Sequence, residues 1–382
     1  MMLVDGERGV GKSRFWEQVK ERSADRSELS MVRGLSSGGT ERMGVWRSVF
    51  KALTGQADLR GELQFQVEQC VFQHSSTPWG VSAFLSSFFD WGEGTLRVDA
   101  LEERGVEVVF DVLAKLLYQA AMSQSVIVCL DEMENADEMT LYFIQYLMSR
   151  LQMEPAPIGV VMLVRSDPMF AVRGAMTSLT HLGHMVGQSF FSFKLSPLSE
   201  MSQRELIAER APLSESAAGA INEICHGNPW LIMETLAHAL DTGGLVWDAT
   251  RWSLPPGGVL EVPPSITRAT CDALERLSPG EEPYNSLFLA VLQWVSLLGG
   301  DCERVKLRTA LRRDPRGIDL REFEGMFEAL VSEGLIEARD GSPHSYSLSP
   351  AWVGAVIREI ALKSSDGEAL RVLSETLSPS RG

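Results

Sequence analysis

The chain has 382 residues, enough for about two or three domains whose cores need no disulfide or metal to hold them. Lys and Arg number 35 against 51 Asp and Glu, so the formal net charge is −16. The 45% share of hydrophobic residues and 23% share of charged residues exclude a largely disordered chain. The acidity argues against nucleic-acid binding by bulk charge, although it does not exclude one basic face.

Scattered cysteines and the lack of targeting segments indicate an intracellular chain. None of the five cysteines forms a CxxC pair, which favours reduced thiols. The N-terminus does not resemble a signal peptide, and the longest apolar run, at 287–298, is shorter than the roughly 20 residues of a membrane span. We therefore expect a cytoplasmic protein with no membrane partner.

In residues 1–194, strand-like apolar runs alternate with helical patterns. The β-rich runs lie at 2–4, 125–130 and 158–164. A helix is predicted after Asp137, whose side chain suits an N-cap better than a ligand. The alternation predicts a doubly wound α/β core on a parallel sheet with right-handed crossovers, and residues at about 40–120 are interpreted as a helical insertion in it.

From about residue 195 the hydrophobic period becomes helical. Residues 198–240 are predicted to be helical throughout, with no strand candidate, and residues 195–254 are predicted to form a helical lid. The prolines and glycines at 255–264 mark a linker. Residues 255–382 predict helices leading to a hairpin that turns at Asp340-Gly341. That order of elements predicts a winged-helix-like domain.

The segment at 6–13, GERGVGKS, fits the phosphate-loop pattern GxxxxGK[ST]. Its glycines permit the backbone conformations that turn successive N–H groups toward phosphate oxygens. Lys12 is expected to reach the β- and γ-phosphates, and Ser13 to bind Mg²⁺. A glycine-rich turn is the alternative. The residues assigned to cofactor binding here are Gly6, Glu7, Arg8, Gly9, Val10, Gly11, Lys12, Ser13 and the adjacent Arg14.

Two carboxylates, Asp131 and Glu132, follow the apolar run at 125–130. Asp131 is expected to hold Mg²⁺ through water, and Glu132 to orient or deprotonate the attacking water. The pair is a weak signal alone and a strong one beside the phosphate loop. Arg165 follows the next strand, where it would join Lys12 and Glu132 in catalysis by stabilising charge on the γ-phosphate; an exposed arginine without this role is the alternative.

Two further patterns have structural alternatives. Gly227-Asn228-Pro229 is, by spacing alone, typical of a helix end. A basic cluster at 304–321 is a candidate contact for DNA phosphate; the alternative, a solvated helix face, is favoured by the acidic net charge of the chain. Its members are Arg304, Lys306, Arg308, Arg312, Arg313, Arg316 and Arg321.

Taken together, the segments resemble STAND-type P-loop ATPases with an Orc/Cdc6-like AAA module, as in large LuxR-type regulators and kinase- or cyclase-linked bacterial proteins. The resemblance spans about residues 2–365. It is carried by LVDGERGVGKSRFWEQV, VIVCLDEMENADEMTLYFIQYL, VVMLVRSDP, LSPLSEMSQRELI, ICHGNPWLIMETL and VPPSITRATCDALERLSP. It implies an AAA-like core, a lid and a winged helix, with ATP or ADP and Mg²⁺ as cofactors. It also implies that Arg165 is a sensor and that Pro229 packs on adenine.

Three departures from this family bear on function. Relatives carry a segment before the first strand that cups the adenine, whereas this sequence starts at that strand; a misassigned start, a truncated chain and a loosely held base are the alternatives. Leu163 stands where a threonine usually precedes the sensor arginine. Near Pro350 a winged-helix histidine is replaced, and no sensor repeats follow residue 365.

The expected function is a signal-transduction switch that binds ATP, hydrolyses it slowly with Mg²⁺ and acts on a protein partner or effector. One alternative is a non-catalytic nucleotide-binding or protein-interaction scaffold. The other is a DNA-associated Orc-like regulator, which the acidic charge disfavours. The sequence leaves open whether hydrolysis is retained and whether the chain forms a homo-oligomer.

Overall fold

The computed structural model describes residues 1–35, 43–54, 85, 88, 103–166, 179–181, 183, 190–277, 284–299, 302–339 and 342–377. These residues form two compact units. The first holds the described parts of Met1–Gly6, Gly11–Ser166 and Ala171–Leu195, and the second those of Glu7–Val10 and Ser196–Gly382. The predictions for Cys70, for the turn at Asp340-Gly341 and for most of the insertion lie outside the described residues.

The first unit is built on a parallel five-stranded sheet. Its strands are β1 (Met2–Gly6), β2 (Leu29–Leu35), β3 (Ser125–Asp131), β4 (Ile158–Arg165) and β5 (Phe191–Lys194). They lie in the order β2-β3-β4-β1-β5, and each neighbouring pair is parallel. Because β1, β3 and β4 stand side by side, the ends of the three predicted apolar runs meet at one edge. The expected α/β core with a parallel sheet is confirmed, and β2 and β5 are additions to it.

Helices cover the sheet of the first unit. They are α1 (Lys12–Arg22), α2 (Gly44–Thr54), α3 (Glu103–Ser123) and α4 (Glu138–Met153). Asp137 caps α4, since its carboxylate accepts a hydrogen bond from the Thr140 N–H at 3.1 Å, which confirms the predicted N-cap. The main apolar cluster of the first unit joins α2, α3 and α4 to the sheet, with Trp46 and Phe143 packed edge to face at 4.7 Å.

The second unit is mainly helical. Its elements are α5 (Glu200–Arg210), α6 (Glu215–Cys225), α7 (Pro229–Asp241), β6 (Val246–Trp247), β7 (Trp252–Ser253), α8 (Pro264–Leu277), α9 (Tyr284–Leu298), α10 (Arg304–Arg312), α11 (Phe323–Ser332), β8 (Ile336–Arg339), β9 (Ser342–Leu348), α12 (Ala351–Lys363) and α13 (Gly367–Leu377). The predicted helical stretch at 198–240 is confirmed as three helices. Strands β8 and β9 pair antiparallel, which confirms the predicted hairpin.

One continuous apolar core runs through the second unit, from Ile207 on α5 to Leu370 on α13. The N-termini of α5, α6 and α7 are capped by side chains: Ser199, Ser214 and Asn228 each accept a backbone N–H of the following turn. Across the described ranges, no helix is long and apolar enough to cross a membrane.

Candidate nucleotide-binding site

The phosphate-loop segment connects β1 to α1. Gly9 and Gly11 have positive φ angles of 78° and 107°, a region that favours glycine. Gly11 is the N-cap of α1, and its carbonyl accepts the Phe15 N–H at 2.8 Å. Helix α1 therefore begins at Lys12 and directs its partly positive N-terminus toward the loop, which is an arrangement suited to an anion.

Side chains from the loop and from β3 meet directly. The Ser13 hydroxyl donates a hydrogen bond to Asp131 Oδ2 at 2.9 Å, although 118 residues separate them in sequence. Asp131 is only 3% exposed. A hydroxyl beside a buried carboxylate is the hard oxygen donor set that Mg²⁺ accepts, with phosphate and water completing its coordination. The residues predicted to hold the metal therefore fit it.

Lys12 folds back over its own loop. Its Nζ donates a hydrogen bond to the Gly6 carbonyl at 2.8 Å. Arg14, also predicted to bind the cofactor, lies on the exposed side of α1 with its Nη1 3.2 Å from Glu21 Oε1. The described contacts thus place Lys12 at the loop and direct Arg14 along the helix.

Glu132 takes a left-handed backbone conformation, with φ at 57°, and its side chain is exposed. Its pKa is raised, first by partial loss of hydration and then by the negative charges of Glu134 and Asp131. A carboxylate with a raised pKa accepts a proton more readily near neutral pH, as a general base must.

A third acid, Glu134, holds the predicted sensor arginine. Glu134 is 4% exposed, and its Oε2 accepts the Arg165 backbone N–H at 3.0 Å. Its Oε1 lies 3.5 Å from Arg165 Nη2. Arg165 is therefore anchored by Glu134, and its positive charge acts on Glu132. Glu134 was not predicted as a site residue, although its position close after Asp131 and Glu132 in the sequence DEME indicates it.

Arg33 is the other residue that the sequence analysis missed. It lies near the end of β2, where its guanidinium donates a hydrogen bond to Asp131 Oδ2 and a second to Glu17 Oε1 at 3.3 Å. In the sheet register Arg33 faces Cys129 and Leu35 faces Asp131, so β2 delivers the arginine to the edge that carries the acidic pair. No motif flagged it, because β2 itself was not predicted.

In the second unit, the loop residues Glu7–Val10 pack on the start of α7. The side-chain amide of Asn228 donates to the Arg8 carbonyl at 2.6 Å, and its Oδ1 accepts the Leu231 N–H at 3.3 Å. A Cβ at Gly9 would meet Asn228 Oδ1 and Trp230 Cβ, both at 2.7 Å. Gly9 is therefore constrained by space as well as by its positive φ.

Other contacts complete this loop. The Trp230 N–H donates to the Gly9 carbonyl at 3.3 Å, the Val10 N–H donates to the Glu7 carbonyl at 3.3 Å, and the Arg8 guanidinium lies 5.0 Å from the Trp230 ring centroid. Helix α6 ends just before Gly227, which has a φ of 81°, so the helix-end interpretation is confirmed. Pro229 is the first residue of α7; its contact with adenine stays a prediction.

Within the described part of the second unit, the basic cluster is largely neutralised. Arg304 pairs with Glu324 at 2.6 Å and with Glu328 at 2.8 Å, and Arg308 pairs with Glu324 at 3.2 Å. The remaining pairs join Arg316 to Asp314 and Arg321 to Asp319, each at 2.6 Å. Most of these cations therefore form ion pairs with neighbouring carboxylates.

The first part of the chain is similar to a known family of domains. Residues 1–162 match the family model of the AAA ATPase domain. The Walker-type ATPase of Pyrococcus abyssi superposes with a TM-score of 0.51 at 14% identity, covering 94% of this chain and 90% of that one. At this identity the similarity shows the fold alone. A search of curated proteins found no significant match.

Two origin-type proteins also align over most of the chain. Cdc6p from Pyrobaculum aerophilum has a TM-score of 0.36 at 13% identity, covering 94% of this chain and 88% of that one. The Orc1 protein of Aeropyrum pernix, solved in complex with DNA, has a TM-score of 0.35 at 12% identity and covers 94% and 86%. Residues 1–162 are therefore similar in sequence to AAA ATPase domains.

Proposed function

We propose that this chain is a STAND-type switch that binds ATP, hydrolyses it slowly and signals to a protein partner. The observation that carries the proposal is the 2.9 Å hydrogen bond between the Ser13 hydroxyl and the buried Asp131 carboxylate. It brings the phosphate loop and the acidic end of β3 to one place in an AAA-type ATPase domain. Phosphoryl transfer depends on that placement, because its catalysis is mostly positioning and charge stabilisation.

Each site residue has a definite task in this proposal. Ser13 and Asp131 would hold Mg²⁺, which supplies positive charge to the phosphates. Lys12 exchanges its neutral acceptor, the Gly6 carbonyl, for a charged phosphate oxygen, and charge-assisted hydrogen bonds are the stronger kind. Glu132 orients the attacking water or takes its proton, while Arg165 stabilises the charge that develops on the transferred group.

The rest of the chain supplies the switch. We assign residues 1–194 to the ATPase core, 195–254 to a helical lid that includes Pro229 against the adenine, and 255–382 to a winged-helix-like domain. A nucleotide changes the arrangement of such domains only through contacts that differ between the ATP and ADP states. The γ-phosphate is the chemical difference between the two nucleotides, so Lys12 and Arg165 are the residues that would detect it.

Replacing Lys12 by Ala tests the site. We expect Lys12→Ala to lose most ATP affinity in calorimetric titration with Mg²⁺ present, by about tenfold or more, since a charge-assisted contact to phosphate is removed. The matched control is Lys20→Ala, an exposed lysine in the last turn of the same helix, which should bind as the parent does. Normal ATP binding by Lys12→Ala would contradict the proposed site.

Measuring ATP hydrolysis distinguishes the proposed switch from a non-catalytic scaffold. If the chain only binds nucleotide or partner proteins, phosphate release by the parent will not exceed the background of Lys12→Ala. Release above that background supports the enzymatic switch. The measurement needs only purified chain, ATP and Mg²⁺.

The DNA-associated alternative has less support from the described residues. Arg304, Arg308, Arg316 and Arg321 are already paired. Among the described residues this leaves Lys306 and the exposed Arg312 and Arg313 as the available phosphate contacts of the cluster. Salt-sensitive DNA binding that is lost in Arg312→Ala/Arg313→Ala would favour this function. We expect no such binding.

A further inference from the structure

Arg33 bridges two carboxylates in the first unit. Its guanidinium donates to Asp131 Oδ2, and its Nη1 lies 3.3 Å from Glu17 Oε1. The Arg33 side chain is 27% exposed, and its Nε is buried with no hydrogen-bond partner among the described residues. Arg33 therefore contacts carboxylates through its two terminal nitrogens, whereas its Nε lacks a partner within the described ranges; an unsatisfied buried donor is costly.

The same oxygen, Asp131 Oδ2, accepts both the Ser13 hydroxyl and the Arg33 guanidinium. A carboxylate as buried as that of Asp131 is expensive to keep charged unless a cation stands beside it. Arg33 supplies that cation. It does so at the group that the proposed function assigns to Mg²⁺, so the two positive charges would repel each other there.

Glu17 offers Arg33 a second partner within reach. It lies four residues after Ser13 on α1, which places both side chains on the same helix face. Because Arg33 already contacts Glu17, its guanidinium can give up the hydrogen bond to Asp131 and keep the one to Glu17 without leaving the site.

We propose that Arg33 is a positioning residue whose positive charge takes the place of the metal beside Asp131. When Mg²⁺ and nucleotide bind, Arg33 moves toward Glu17. Arg33 thereby sets the Mg²⁺ dependence of nucleotide binding. The inference rests on the proposed function. Without Mg²⁺, Arg33 masks Asp131 and reduces its repulsion of the phosphates. With Mg²⁺, Arg33 competes for the carboxylate. The first effect strengthens nucleotide binding without Mg²⁺ and the second weakens it with Mg²⁺. Both therefore reduce the difference between the two nucleotide affinities.

The test compares ADP affinity with and without the metal. Kd for ADP is measured by calorimetry in excess EDTA and in excess Mg²⁺, and the readout is the ratio of the first to the second. Arg33→Met keeps the apolar stem but removes the charge, so we expect this ratio to rise about tenfold, the effect of one charge-assisted contact. Arg22→Met, an exposed arginine in the last turn of α1, is the matched control and should leave the ratio unchanged.

Glu17→Gln gives the opposite sign. Without the Glu17 charge, Arg33 stays on Asp131, so the ratio should fall below that of the parent. This variant also decides the matter if Arg33→Met fails to fold. A raised ratio in Arg33→Met or a lowered ratio in Glu17→Gln supports the inference.

An unchanged ratio, or equal losses of affinity in both buffers, would overturn the inference and leave Arg33 a structural ion-pair partner. That result is distinguishable from failure of the proposed function. If the parent chain binds no ADP in either buffer, the nucleotide site itself is wrong; if it binds ADP and only the ratio fails to respond, the role of Arg33 alone is wrong.

Discussion

Glu134 contacts Arg165 through both of its carboxylate oxygens. Glu134 Oε2 accepts the Arg165 backbone N–H at 3.0 Å, and Glu134 Oε1 lies 3.5 Å from Arg165 Nη2. The contact ties the short turn after β3 to the end of β4. Because Glu134 is almost fully buried, its charge acts on neighbouring groups with little screening by water. It orients Arg165 and also raises the pKa of Glu132.

Replacing Glu134 by Gln should alter both the rate and the pH dependence of ATP hydrolysis. The amide can still accept the Arg165 N–H but no longer attracts its guanidinium, so we expect kcat to fall about tenfold while ADP affinity is retained. Loss of the negative charge lowers the pKa of Glu132. In the proposed mechanism the deprotonated Glu132 carboxylate is the base, so the acid limb of the kcat profile should move to lower pH.

Phosphate release measured across the acid range checks this shift. Glu138→Gln, an exposed acid in the first turn of α4, is the control and should leave the profile in place. An unmoved acid limb in Glu134→Gln would show that Glu132 is not the base whose titration limits hydrolysis.

Glu132→Gln should bind ATP normally and hydrolyse it poorly. Loss of a general base typically costs about 100-fold or more in rate, whereas the phosphate loop and the Ser13–Asp131 pair are untouched. Calorimetry and phosphate release on the same preparation separate the two effects. Unchanged release would remove Glu132 from the proposed role.

The same Glu132→Gln variant makes a prediction about stability. Because the folded state raises the pKa of Glu132, the folded chain holds the proton more tightly than the unfolded chain does. The contribution of Glu132 to stability therefore decreases as pH rises from its unfolded pKa through its raised folded pKa. Glu132→Gln should melt at a higher temperature than the parent at neutral pH, and the difference should vanish in acid. A constant difference at all pH values would contradict this.

Sequence patterns predicted the central strands because β1, β3 and β4 are continuous apolar runs. Strand β2 escaped because its buried face is made of Ser30, Val32 and Gly34, which carry little hydrophobic signal. Edge strand β5 is short and exposed along its whole length. It therefore lacks the alternation of buried and exposed residues by which a strand is predicted. Because β2 was not predicted, Arg33 was not predicted either. Arg33 acts through Asp131, and such a side chain belongs to no motif with a recognisable spacing.

Local chemistry was more predictable than long-range contact. The roles of Asp137 as an N-cap and of Gly227 at a helix end follow from residue type and neighbours alone. The contact of Asn228 with the Arg8 carbonyl joins residues 220 positions apart, and no local rule points to it. The sequence analysis therefore assigned Gly227-Asn228-Pro229 to a helix end and left the second function of Asn228 unseen.

Asn228→Ala should destabilise the second unit more than the loss of an ordinary cap. Ser199 is an exposed N-cap of α5, and Ser199→Ala should cost about 1 kcal/mol. Asn228 is fully buried and also donates to the Arg8 carbonyl, so Asn228→Ala should cost about 2–3 kcal/mol. Urea unfolding of the full chain followed by far-UV circular dichroism gives both values. Equal losses would mean that the Arg8 contact adds nothing.

Gly34→Ala should destabilise the first unit through a steric clash between β2 and α2. A Cβ at Gly34 would lie 2.2 Å from the Val45 carbonyl oxygen and 2.8 Å from Val49 Cγ2. The carbonyl belongs to a helix backbone and cannot turn aside, so strand and helix must separate, at a cost of about 1–3 kcal/mol. Gly159→Ala on β4 is the matched control.

In that control the new methyl would meet only Ile127, at 3.6 Å, which is an ordinary van der Waals distance. Because alanine also restricts the unfolded chain, Gly159→Ala should be neutral or slightly stabilising. Arg33 precedes Gly34, so Gly34→Ala should also displace the Arg33 guanidinium and change the Mg²⁺ dependence of ADP binding, whereas Gly159→Ala should not. Equal unfolding midpoints for the two variants would show that α2 yields at Val45 and that its close approach does not fix the position of β2.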